Sequence, residues 1–77
     1  MSGKKYVYVG QRKTPPKYPR IDEVIKEMGT VAQFCRESGV YVMTYYALQA
    51  GRSVPTLETV YKILHYTGLS FEEAFGA

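Results

Sequence analysis

Glycines set the strongest limit on what this chain can become. From Ile21 onward, apolar residues recur with a helical period. Each run is stopped by a glycine, at Gly29, Gly39, Gly51 and Gly68. A glycine just past the last periodic residue is a common helix terminator, because it tolerates the left-handed cap. The chain is therefore confined to a series of short helices. None can bury all of its surface alone, so they must share one core. With 77 residues, one small domain is expected.

Each segment carries its own signals. Ile21, Val24, Ile25 and Met28 fall at i, i+3, i+4 and i+7, which predicts one apolar face on a first helix. Asp22 and Glu23 suit the positive end of its dipole. Thr30, with Gln33 three residues on, fits a capping box and opens a second helix with Phe34 and Cys35 inward. The third helix spans about Tyr41 to Gln49, with Tyr45 and Leu48 as its inner face, and the residues after Gly51 form a loop. Thr56 caps a fourth helix whose predicted apolar stripe is Leu57, Val60, Tyr61 and Leu64. Ser70 with Glu73 is a second capping box, opening a short fifth helix that carries Phe71, Ala74 and Phe75. The expectation is an all-α, five-helix domain over 21–77.

Residues 1–20 differ in kind. KKYVYVG alternates and is rich in Tyr and Val, as a short strand would be. QRKTPPKYPR has three prolines and no apolar periodicity, and predicts an extended linker. Lys4, Lys5, Arg12, Lys13, Lys17 and Arg20 lie here without a single acid, whereas residues 21–77 hold four basic and seven acidic residues, a net −3. The overall charge of +3 thus conceals a basic arm on a mildly acidic body. Such arms either bind polyanions or simply solubilise.

Several function classes find little support. No apolar run approaches the ~18 residues of a membrane span. MSGKKYVYVGQRK lacks the apolar stretch of a secretory signal, and a single cysteine, Cys35, permits no internal disulfide. A cytoplasmic protein without a membrane partner is expected. His65 has no ligand cluster around it, so no metal is expected. Cys35 reads as a buried, inert thiol. Ser38, Ser53 and Ser70 have no nucleophile context, and glycine-rich phosphate loops are absent. Neither an enzyme nor a cofactor is expected.

The stretch TVAQFCRESGVYVMTYYALQAGRSVPTLETVYKILHYTGLSFEEAF resembles the phage-repressor-like helix-turn-helix family, the lambda repressor/Cro or XRE type. The likeness covers about Ile21 to Phe75. Phe34-Cys35 fit a large-then-small apolar pair on helix two, and Gly39-Val40 fit the turn. Tyr45 and Leu48 fit the inward positions of helix three. Gly51, Pro55 and Thr56-Leu57-Glu58 fit the loop and fourth helix, and Gly68-Leu69-Ser70 fit the approach to the fifth.

The resemblance implies a transcription regulator that binds double-stranded DNA, usually as a dimer, in a phage, bacterium or mobile element. Helix three would lie in the major groove, with helix two across the backbone. Tyr41, Val42, Met43, Thr44, Tyr46 and Ala47 would then face the bases. Thr30, Arg52, Lys4, Lys5, Arg12 and Lys13 would meet phosphates, with the arm free to enter the minor groove. The family commonly pairs through its C-terminal helix, which marks Phe71 and Phe75 as a homodimer contact; the KKYVYVG strand is the rival.

The chain departs from the family at helix three. Polar groove-facing residues give way to Val42 and Met43, and a common glutamate near the helix end is Gln49. Val42, Met43 and Ala47 can touch thymine methyls, and tyrosine or threonine hydroxyls can reach phosphates or base edges. The same aromatic and apolar patch also suits a protein interface. An anti-repressor-like or antitoxin-like interaction module on the same fold is therefore the alternative.

Overall fold

The computed structural model describes residues 15–76, and among them it contains five helices and no strand. These are α1 (Pro19–Met28), α2 (Val31–Ser38), α3 (Val42–Gln49), α4 (Leu57–Thr67) and α5 (Phe71–Phe75). Helix α1 packs on α2, α4 and α5; α2 packs on α3 and α4; and α4 packs on α5. The all-α arrangement of short helices is the expected one. KKYVYVG lies outside the described residues, as do Lys4, Lys5, Arg12 and Lys13.

The caps explain where the helices stop. Gly39 closes α2 at φ +86°, its N–H donating to the Cys35 carbonyl at 3.0 Å. Gly68 closes α4 at φ +78° in the same way onto Leu64. A side chain in this left-handed region is strained. At the other ends, the Thr30 hydroxyl accepts from the Gln33 N–H (3.0 Å) and the Thr56 hydroxyl from the Thr59 N–H (3.2 Å). Only half of the expected box at Thr30 forms, and the Gln33 side-chain amide donates to Glu37 at 3.3 Å. Ser70 and Glu73 form the full reciprocal box at 3.1 and 2.9 Å. Hydrogen bonds from Ser70, its backbone N–H foremost, hold the Glu73 carboxyl below its ordinary range. The box thus contributes fully above the unfolded carboxylate pKa and is lost as pH falls through the lower folded value.

The core collects Ile21 and Ile25 from α1, Phe34 and Cys35 from α2, Val40 from the turn, Tyr45 and Leu48 from α3, Ile63 from α4 and Ala74 from α5. Phe34 sits at its centre. The Tyr45 ring meets it edge-on at 5.5 Å and the Tyr66 ring at 5.0 Å. Such T-shaped pairs add to burial because a positive ring edge meets a negative face.

Three expectations need correction. Helix α1 begins at Pro19, two residues before Ile21. Proline has no N–H to leave unsatisfied and its φ already suits a first turn, so a residue that signalled linker is in fact a helix start. Met28, expected inward, is half exposed in the last turn of α1. The stripe on α4 is also rotated: Leu57 and Tyr61 are exposed, and Ile63 is fully buried with Val60 and Leu64 half-buried beside it. Val60, Ile63, Leu64 and Thr67 have the same helical spacing as the expected stripe. Thr67 can face inward because its hydroxyl donates to the Ile63 carbonyl at 2.8 Å.

One buried polar group has no counterpart in the expected core. Gln49, at the end of α3, is 1% exposed. Its side-chain carbonyl accepts the Tyr18 N–H at 2.8 Å, and its amide donates to the Tyr18 carbonyl at 3.1 Å and the Tyr45 hydroxyl at 3.0 Å. Tyr45 in turn donates to Asp22 at 2.8 Å. The Gln49 backbone carbonyl also accepts the Lys17 N–H at 2.7 Å. These bonds fasten the segment before α1 to the foot of α3. Removing one partner strands the other in the interior, at about 1–3 kcal/mol per buried group. Gln49→Ala is expected to lower stability by about 2–3 kcal/mol, seen as a lower urea midpoint with little change in slope.

Candidate nucleic-acid interface

Helix α3 has two contrasting sides. Tyr45, Leu48 and Gln49 are each no more than 1% exposed and hold the helix to the body. On the other side Tyr41 is 81% exposed, Met43 73%, and Val42 and Tyr46 41% each. Thr44 and Ala47 are half-buried between the two sides. Tyr41 is the N-cap rather than a helical residue, and its side chain makes no cap hydrogen bond. The helix follows α2 after a tight turn, in which Gly39 provides the reversal and buried Val40 anchors it. The Val40 N–H donates to the Ser38 hydroxyl at 3.2 Å.

Around this surface the polar groups are unevenly placed. No residue of α3 carries a charge. A cleft of about 390 Å³ runs between the α2–α3 turn and the start of α4, lined by Tyr41 and Thr44 on one side and Glu58, Thr59 and Lys62 on the other. Lys62 lies across it, 3.2 Å from Glu58 and 3.5 Å from the Gly39 carbonyl. Arg52 is exposed beyond the other end of α3, and its N–H donates to the Ala47 carbonyl at 2.9 Å. Lys17 reaches the same end, its side chain passing close to Gly51.

The expected contact residues thus divide. Tyr41, Val42, Met43 and Tyr46 lie on one exposed surface, with Thr44 and Ala47 at its edge and Arg52 at its foot. Thr30 is exposed at the start of α2, its hydroxyl engaged in capping. Gln49 is the residue that sequence reasoning undervalued. It follows inward-facing Tyr45 by four residues, the spacing that shares a helix face, and that was the available signal.

Other chemistry is sparse. Among the described residues, no group of three or more His, Cys, Asp and Glu is placed to hold a metal ion. His65 is exposed and stacks on Tyr61 with ring centroids 5.8 Å apart. Burial raises the Cys35 thiol above its ordinary pKa. Among the described residues no helix is long and apolar enough to cross a membrane. Comparison of the chain with family models, curated proteins and solved structures finds no match.

Two outcomes follow from this division of α3. Met43→Ala should shift stability by less than about 0.5 kcal/mol in urea unfolding, as for a surface site. Tyr45→Ala, which empties the core beside Phe34, should cost about 3–5 kcal/mol. Cys35 should be alkylated by iodoacetamide at neutral pH far more slowly in the native protein than in urea, because the thiolate is the nucleophile and burial suppresses it.

Proposed function

We propose that this chain is a DNA-binding transcription regulator of the phage-repressor-like helix-turn-helix type. Helices α2 and α3 are the two arms of the motif, and α3 enters the major groove. The observation that carries this reading is the exposed, unpartnered face of α3, which the body holds rigidly from behind through Tyr45, Leu48 and Gln49. An α-helix presented in this way fits the width of the major groove. The location of the basic charge supports it. Lys17 is bonded to the last residue of α3, so Lys4, Lys5, Arg12 and Lys13 belong to a segment that departs from the foot of that helix. With Arg52, they supply the phosphate contacts that α3 lacks.

Such regulators act as pairs on two half-sites about one helical turn apart. Phe71 is 59% exposed on α5 and packs against half-buried Phe75 at 5.3 Å. It is the residue through which two copies would meet. A second reading, a protein-docking module of antitoxin or anti-repressor type, is favoured by the absence of charge from α3 and by its two exposed tyrosines.

The test is fluorescence anisotropy with a labelled pool of random duplexes over a range of salt, followed by sequencing of the bound fraction. An enriched motif supports the DNA reader. Binding without a motif that vanishes at moderate salt supports the docking module, with only non-specific charge acting on DNA. Deleting residues 1–13 removes four basic residues. It should flatten the slope of log K against log salt by up to about 3.6, at about 0.9 per phosphate contact. An unchanged slope would take the arm out of the mechanism.

A further inference from the structure

In the major groove each base pair shows donors and acceptors, and thymine adds a methyl group. Reading a purine by its two hydrogen-bonding positions takes a guanidinium, a lysine ammonium or an amide. Helix α3 has one such group, the amide of Gln49, and the fold has consumed it. Gln49 is 1% exposed, with its oxygen on the Tyr18 N–H and its nitrogen on the Tyr18 carbonyl and the Tyr45 hydroxyl. On α2, which in this motif crosses the backbone and does not read the groove, the amide of Gln33 donates to Glu37 and Arg36 lies in the last turn. Arg52 lies past the C-terminal end of α3, whereas the N-terminal residues of a recognition helix are the ones that contact bases.

The N-terminal end of α3 presents Tyr41, Val42 and Met43, with Thr44 and Ala47 half-buried and Tyr46 exposed a turn on. A hydroxyl can make a hydrogen bond but not the paired contact of an amide or guanidinium, and Val42, Met43 and Ala47 make none. Against a polar base edge these side chains would displace water and return no hydrogen bond, which is unfavourable. Against a methyl they bury apolar surface from both sides. Resting on the DNA-binding function proposed above, we infer that α3 selects 5-methylpyrimidines through Val42, Met43 and Ala47. Thymine is the ordinary target. Because the recognised group is the methyl and not the base, 5-methylcytosine satisfies the same contact.

The experiment compares four labelled duplexes of equal length by anisotropy at one salt concentration. These are alternating dA·dT, the same duplex with deoxyuridine for thymine, alternating dI·dC, and the same with 5-methyldeoxycytidine. All carry the same phosphate charge, and inosine lacks the guanine amino group that would mark the minor groove. Each pair differs by the methyl alone. Burying one methyl is worth roughly fourfold in affinity, so two seated methyls should separate each pair by about fifteenfold. Met43→Ala, at an exposed position, should bring both ratios down toward one. Val42→Ala should act in the same direction.

Equal binding of the thymine and uracil duplexes would overturn the inference and leave DNA binding standing. A thymine effect with no 5-methylcytosine effect would also overturn it, because duplex shape would then be what is read. Ratios that survive both substitutions would remove the methyl contact from α3. Failure to bind any of the four at low salt would overturn both this inference and the function it rests on.

Discussion

The paired hydrogen bonds between Gln49 and the backbone of Tyr18 hold the architecture in register. They join residues far apart in sequence, the approach to α1 and the end of α3. A lone buried amide would destabilise so small a body, because each unmet polar atom costs as much as a good hydrogen bond returns. Here both ends of the amide are met, and the third contact, to Tyr45, extends the chain of bonds to Asp22. Lys26 lies 3.0 Å from the other oxygen of Asp22. The network runs from an exposed ion pair into the core beside Phe34. Such networks specify a single arrangement of helices where apolar contacts alone tolerate several.

That arrangement lets α3 be apolar on nearly every side without collapsing inward. The helix has Val, Met, Tyr, Tyr, Ala and Leu along its length, so apolar character by itself does not tell one side from another. What decides its orientation is the pair Tyr45 and Gln49, one turn apart, whose polar ends bond to Asp22 and Tyr18 on the body. Val42, Met43 and Tyr46 are left outside by exclusion.

The sequence made some of this legible and concealed the rest for physical reasons. Glycines and hydroxyl caps set the helix ends closely, because capping is local chemistry that needs no knowledge of the fold. The inner residues of α2 and α3, Phe34, Cys35, Tyr45 and Leu48, could likewise be read from their spacing. Helix α4 could not: Leu57-Val60-Tyr61-Leu64 and Val60-Ile63-Leu64-Thr67 are both regular, and the choice rests on where α1, α2 and α5 pack. Gln49 was hidden because a glutamine gives no apolar signal, and its partners are backbone atoms of Tyr18 and a tyrosine hydroxyl. Pro19 was misread because a proline ends one element and begins another with the same ring. The surface of Tyr41, Val42, Met43 and Tyr46 was legible as a candidate only through family resemblance. Composition alone would have assigned such residues to a core.

The bond from Lys17 to the end of α3 has a consequence for timing as well as position. Lys17 is fixed at the foot of that helix, and Lys4, Lys5, Arg12 and Lys13 precede it in the same chain. In the DNA complex proposed above, a duplex seated on α3 would meet those charges as intramolecular contacts, at an effective concentration set by the intervening chain. Under the DNA-binding function proposed above, residence time would fall to the basic segment and selectivity to the uncharged helix, so that substitutions in one need not disturb the other.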